Sequence, residues 1–158
     1  MVPIARPELK GHKADRATGA VLGGIVGGPL VGFLVGLTGG IHRYSLGGFT
    51  SFACMVSTVA EGVLGGLVHR YYLKQRQTER LFNPWIVFTV ALAAEFLQMG
   101  IILLLARPFD QAWHLVQNIA LPMMLANSFG AAILMQMLLD RRAMYEKYSV
   151  AFSARALK

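Results

Sequence analysis

Residues Val21–Gly48 read VLGGIVGGPLVGFLVGLTGGIHRYSLGG, and ten of the chain's 17 glycines fall within them. No Asp, Glu, Lys or Arg occurs from Ala17 to His42, and the run then ends on Arg43. An apolar run of this length matches the ~20 residues with which a helix crosses a bilayer. Gly27-Gly28-Pro29 at its centre, however, predicts a broken helix. Each half, roughly eleven residues at ~1.5 Å per residue, reaches about 16 Å, or half a bilayer. Two geometries follow: a kinked spanning helix, or a re-entrant hairpin with both ends on one side. Irregular backbone at membrane depth is tolerated only where protein or a water-filled cavity surrounds it. Glycines at 19, 23 and 27, and at 28, 32, 36 and 40, recur every four residues. Such stripes let helices pack backbone to backbone. Close packing accounts for the glycines but not for Arg43.

The rest of the chain is written for the same solvent. Of its 158 residues 55% are hydrophobic and 15% charged, and the mean hydropathy is +0.51. No charge occurs between Asp110 and Asp140, and only Glu95 interrupts the stretch between Arg80 and Arg107. Four apolar blocks result: Ala17–Ile41, Leu46–Val68, Leu81–Ala106 and Gln111–Leu139. The expected fold is an all-α membrane protein, a polytopic helical bundle whose Gly-rich first segment is broken or re-entrant. Arg70, Lys74, Arg76 and Arg80 follow the second block, and Arg141, Arg142 and Lys147 follow the fourth. Positive loops stay in the cytoplasm, which puts the 70–80 loop and the C-terminus inside and Arg43 and Arg107–Asp110 outside. Tyr71, Tyr72, Trp85, Trp113 and Tyr145 lie near block ends, where amphipathic rings settle at the headgroups. Asn83-Pro84 reads as a helix start, Arg107-Pro108 as a helix end, and Pro122 predicts a kink or break in the fourth block.

Several function classes drop out. The net charge of +7 forms no basic patch interleaved with aromatics, so no nucleic acid is expected. A single cysteine, Cys54, excludes an intrachain disulfide and any cysteine-based metal cluster. His12, His42, His69 and His114 lack metal-ligand spacing, and no Walker loop, HExxH or GxSxG is present. Hence neither a catalytic residue, a metal nor a cofactor is expected. Residues 1–15 are basic but have no apolar core, unlike a signal peptide.

What remains is a polar constellation inside an apolar chain. If the first block re-enters, Arg16 and Arg43 stand at the two mouths of one hairpin. Two guanidiniums there make a receptor for a small anion, above all a carboxylate, which Arg grips bidentately. Either arginine alone also reads as a membrane-boundary marker. Thr50, Cys54, Ser57 and Glu61 fall at i, i+4, i+7 and i+11, one face of a helix. In lipid such a face turns to the protein interior or a wet cavity. Glu61 and Glu95 are intramembrane acids, with Gln98 on the same side as Glu95. Asn118, Asn127 and Ser128 read as interhelical contacts.

The run RATGAVLGGIVGGPLVGFLVGLTGGIHRYSLGGFTSFACMVSTVAEGVLGGLVHR resembles the LytS/YhcK-type five-transmembrane receptor domain, the membrane input module of LytS-type sensor histidine kinases. The match runs from about Arg16 to Lys158. It is carried by GGPxxGxxxGxxxGxxR, the following GGxT, a CxxS and an ExxxGG, and further by ARPFD and DRRAMYEKYSVAFSARALK. It is most similar to the pyruvate-sensing kinases of enteric bacteria. The resemblance implies a pyruvate-like carboxylate held by Arg16, Arg43, Cys54 and Ser57; the polar helix face and the intramembrane acids place Thr50, Glu61 and Glu95 behind them. It also implies a bacterial inner-membrane location, a homodimer, and a GAF-like module and kinase that signal to a LytTR-type response regulator. On it the chain divides into an atypical tail (1–15), a transmembrane sensor (16–140) and a cytoplasmic exit helix (141–158). Family members carry one or two helices before Arg16 and the kinase after Lys158, so a truncated product or domain excerpt is expected. A small-carboxylate transporter is the alternative; it needs no helix continuing past the fourth block.

Overall fold

The computed structural model describes the backbone of residues 15–156 and the side chains of residues 18–149. Within them every element is helical: α1 Asp15–Ser45, α2 Ser51–Lys74, α3 Thr78–Leu81, α4 Pro84–Leu105 and α5 Phe109–Ala156. Four stretches, within α1, α2, α4 and α5, are long and apolar enough to cross a membrane, and large apolar side chains such as Leu30, Phe96, Leu104 and Leu121 cover their outer faces.

α1 is two helices. Gly28 has φ 83° and ψ −175°, a conformation essentially restricted to glycine, and Pro29 follows it. Beyond the break the chain folds back. Along a continuous helix Gly24 and Gly32 would stand about 12 Å apart, yet a Cβ built on Gly32 would fall within 3.0 Å of the Gly24 Cα. Val35 likewise reaches 3.2 Å from a Cβ placed on Gly23, twelve positions earlier. The arms are 15–27 and 29–45, so the second, about 26 Å long, is deeper than the half-bilayer expected from sequence.

α2 lies against the hairpin, antiparallel to its second arm. A Cβ on Gly32 or Gly36, or on Gly62 or Gly66 opposite, would come within 3.0 Å of backbone atoms across the contact. Only hydrogen fits there, so the glycines set the helix separation. The stripe that packs includes Gly24, whereas Gly19 has nothing near it. His69 closes the break. Pro29 has no N–H to give the carbonyl of Ile25 one turn earlier, and His69 Nδ1 donates to that oxygen instead, at 2.7 Å.

α4 and α5 complete the bundle. Asn83 caps α4, accepting from the Trp85 N–H at 2.9 Å, with Pro84 in the first turn. The expected break at Pro122 does not occur: α5 is one helix of 48 residues, about 72 Å. It runs without interruption through Asp140, so the fourth block and the exit segment are a single element. The expected second block starts late, because Leu46–Thr50 forms a turn around Gly47 and Gly48, both at positive φ. The loop before α4 holds the short α3, whose Leu81 is fully buried.

Two apolar cores form, one toward each end. Val21, Ile25, Leu81, Val87, Ala91, Ala94, Ala131 and Met135 make one, and Ala53, Ile102, Ala106 and Ala112 the other. Between them runs a polar layer.

Candidate functional site

The second core borders a cavity of about 390 Å³ at the end of the bundle where α1 finishes, α2 begins and α4 passes to α5. Such a volume is in the range of small-molecule sites. Arg43, Thr50, Cys54, Thr58 and Gln98 supply its polar surface, and Ile102, Leu115, Ile119 and Met123 an apolar wall.

Arg43 arrives on the last turn of α1 and is held in place by the turn that follows. Its Nη1 donates to the Gly47 carbonyl at 2.9 Å and its Nη2 to Thr50 Oγ1 at 3.2 Å. A guanidinium has five N–H donors, so three are left for the cavity. Among the described residues its charge meets no carboxylate, since the one ion pair there is Arg142–Glu146. An arginine fixed by neutral acceptors, with its charge unmatched, is suited to an anion.

Cys54, a free and half-buried thiol, lines the same cavity one turn into α2. Its carbonyl collects two hydroxyls: Ser57 Oγ at 3.0 Å and Thr58 Oγ1 at 2.8 Å. Ser57 is fully buried and outside the cavity wall, whereas Thr58 and Gln98 belong to it. Thr50, Ser57 and Glu61 are all buried, as their shared helical face requires. Arg16 lies in the first turn of α1, and its side chain is outside the described residues. The structure thus brings Arg43, Thr50 and Cys54 together, sets Ser57 behind them, and adds Thr58 and Gln98. Thr58 was not among the residues picked out from the sequence, where its one signal is its place a turn after Cys54; Gln98 was read only as the polar neighbour of Glu95. Glu61 and Glu95 lie deeper, outside the cavity. Among the described residues no cluster of three or more His, Cys, Asp or Glu could hold a metal.

The profile of the family described as 5TMR of 5TMR-LYT matches residues 14–141. The sensor histidine kinase BtsS of Escherichia coli K12 is 58% identical over 143 residues, 90% of this chain and 26% of that protein. The sensor protein LytS of Bacillus subtilis is 45% identical over 123 residues, 78% of this chain and 20% of that protein. LytS of Staphylococcus haemolyticus is 33% identical over 106 residues, 66% of this chain and 17% of that protein. The chain therefore spans about a quarter or less of the length of these relatives. No solved structure matches it. With a polytopic helical fold and a family match over most of its length, the chain belongs to the 5TMR-LYT family of transmembrane receptor domains, the membrane sensing portion of LytS-type sensor histidine kinases.

Proposed function

We propose that the cavity beside Arg43 binds a small carboxylate of the 2-oxo acid type, pyruvate above all, and that binding is relayed along α5 to a cytoplasmic kinase module. The observation that carries this is the guanidinium of Arg43, unmatched by any carboxylate among the described residues and fixed by Gly47 and Thr50 in the lining of the cavity. A carboxylate pairs with the guanidinium fork, and the keto oxygen needs a second donor. Cys54, Thr58 and Gln98 stand within the cavity to supply one; Ser57 joins them from the motif, as does Arg16 for the carboxylate. On the positive-inside rule the cavity opens outward and α5 leads inward. The first block then re-enters, with Arg16 and Arg43 on the same outer side.

The sensor reading is favoured over transport by α5, which continues as one helix from the cavity wall at Leu115 to Ala156. A rigid element of that length carries a displacement at the site to whatever follows the bundle. Partners on this reading are a second copy of the chain, the kinase module and, through it, a LytTR-type response regulator. Calorimetry with pyruvate on the purified protein, with thiol labelling of Cys54 alongside, is the test. Saturable binding that protects Cys54 supports the proposal. Absence of binding with Cys54 labelled at the same rate overturns it.

A further inference from the structure

The polar layer between the two cores is built from three helices: Glu61 of α2, Glu95 and Gln98 of α4, and Asn127 and Ser128 of α5. All five are at least nine-tenths buried. Asn127 Nδ2 donates to Glu95 Oε1. Both carboxyl oxygens of Glu61, Glu95 Oε2, Gln98 Oε1 and Ser128 Oγ have no hydrogen-bond partner. Among the described residues no cation offsets the acids. Arg43 is bonded to Gly47 and Thr50, His69 to Ile25, and the surface of α1 that meets α2 beside Glu61 is glycine. Glu61 stands on α2 and Glu95 on α4, two helices packed against each other.

A set of buried oxygens without donors, two of them carboxyls without a counter-charge, is costly in a low-dielectric interior. It is relieved by positive charge, and carboxylate, amide and hydroxyl oxygens are the ligands that hard cations take. We propose that the Glu61–Glu95 layer is a binding site for a small monovalent cation, a proton or Na⁺, whose occupancy favours anion binding in the adjoining cavity. Gln98 belongs to both places, lining the cavity while its Oε1 lacks a partner, and Thr58 of the cavity wall lies one turn from Glu61. Neutralising the layer removes negative charge from beneath the anion, and by linkage the anion tightens the cation in return. The coupling rests on the carboxylate reading of the cavity; the cation site does not.

The test uses the whole chain in lipid nanodiscs. Its unfolding midpoint is followed in NaCl against choline chloride at equal ionic strength, and across pH 6–9 without Na⁺. If Na⁺ is the occupant, the midpoint rises by about 3–6 °C at roughly ten times the Na⁺ dissociation constant, and choline has no effect. If a proton is, the midpoint falls as pH rises, and pyruvate binding takes up protons, seen as a dependence of the heat on the buffer's ionisation enthalpy. Either response supports the site when Glu61→Gln and Glu95→Gln abolish it and Glu61→Asp retains it. Should one Gln variant fail to fold, the other, read against Glu61→Asp, decides. A wild type with neither response, or responses that survive both Gln variants, overturns the proposal. A cation response lost in Glu61→Gln, in a protein that binds no pyruvate under any condition, upholds the cation site and sinks the ligand reading of the cavity.

Discussion

Replacing Gly62 by alanine places a methyl group where the Gly32 backbone already lies. The added Cβ would stand within 3.0 Å of the Gly32 carbonyl group, and a backbone carbonyl has no rotamer by which to withdraw. The hairpin and α2 must move apart, loosening the neighbouring close contacts of Gly24, Gly36 and Gly66. Overpacking of this kind costs about 1–3 kcal/mol, while alanine returns roughly 1 kcal/mol of helix propensity. Gly100→Ala isolates the two effects, because nothing lies within 4 Å of the Cβ it adds and it gains the same propensity. Gly62→Ala should therefore unfold about 1–3 kcal/mol more easily than Gly100→Ala, a gap of roughly 2–12 °C in midpoint. Thermal unfolding in one detergent, followed by circular dichroism, reads the difference. Gly32→Ala combined with Gly62→Ala should be strongly non-additive, since one separation relieves both clashes. Equal midpoints for Gly62→Ala and Gly100→Ala would refute the claim that backbone contact between the hairpin and α2 holds this bundle.

Other consequences are as concrete. His69→Phe should destabilise the protein by about 1–3 kcal/mol, because Pro29 has no N–H to offer the Ile25 carbonyl and the substitution removes the imidazole donor; an unchanged unfolding midpoint would show that water serves there. With Cys54 replaced by alanine, single cysteines at positions 16 and 43 should both react with an impermeant thiol reagent added outside; labelling from opposite sides would exclude re-entry. Thr58→Ala, which removes a hydroxyl lining the cavity, should lower the ratio of pyruvate to acetate affinity by about two- to twelvefold, one hydrogen bond of ~0.5–1.5 kcal/mol. A ratio that stays put would confine Thr58 to its bond with the Cys54 carbonyl.

Much of this was legible in the sequence because lipid leaves so few options. Charge-free blocks had to be helices, and Gly28-Pro29 had to interrupt the first of them. The polar face Thr50, Cys54, Ser57 and Glu61 had to turn inward, and all its members but the half-buried Cys54 are buried. What could not be read depended on contacts between distant segments. His69 looked like a boundary residue, since its partner is a carbonyl orphaned by a proline forty positions away. Gly24 joined the packing stripe and Gly19 did not, because the fold-back at Gly28 rotates the first arm out of register with the second. Of the kink or break expected at Pro122 the break does not occur: a proline lacks one N–H, and a long helix in a bundle continues past that loss. Ser57 and Thr58 both point to the Cys54 carbonyl, yet only Thr58 reaches the cavity. Helical spacing alone does not separate two adjacent hydroxyls.

The central claim is that Arg43 receives a carboxylate through its planar fork. Its most direct test is the affinity for pyruvate, by titration calorimetry, of Arg43→Lys against the wild type. Lysine keeps the charge but presents a compact ammonium that cannot span two carboxylate oxygens. Loss of a charge-assisted bond of about 1.5–3 kcal/mol predicts binding weakened by roughly 10- to 150-fold, with the unfolding midpoint little changed. Equal affinity in the two proteins would contradict the account and return Arg43 to a marker of the membrane boundary.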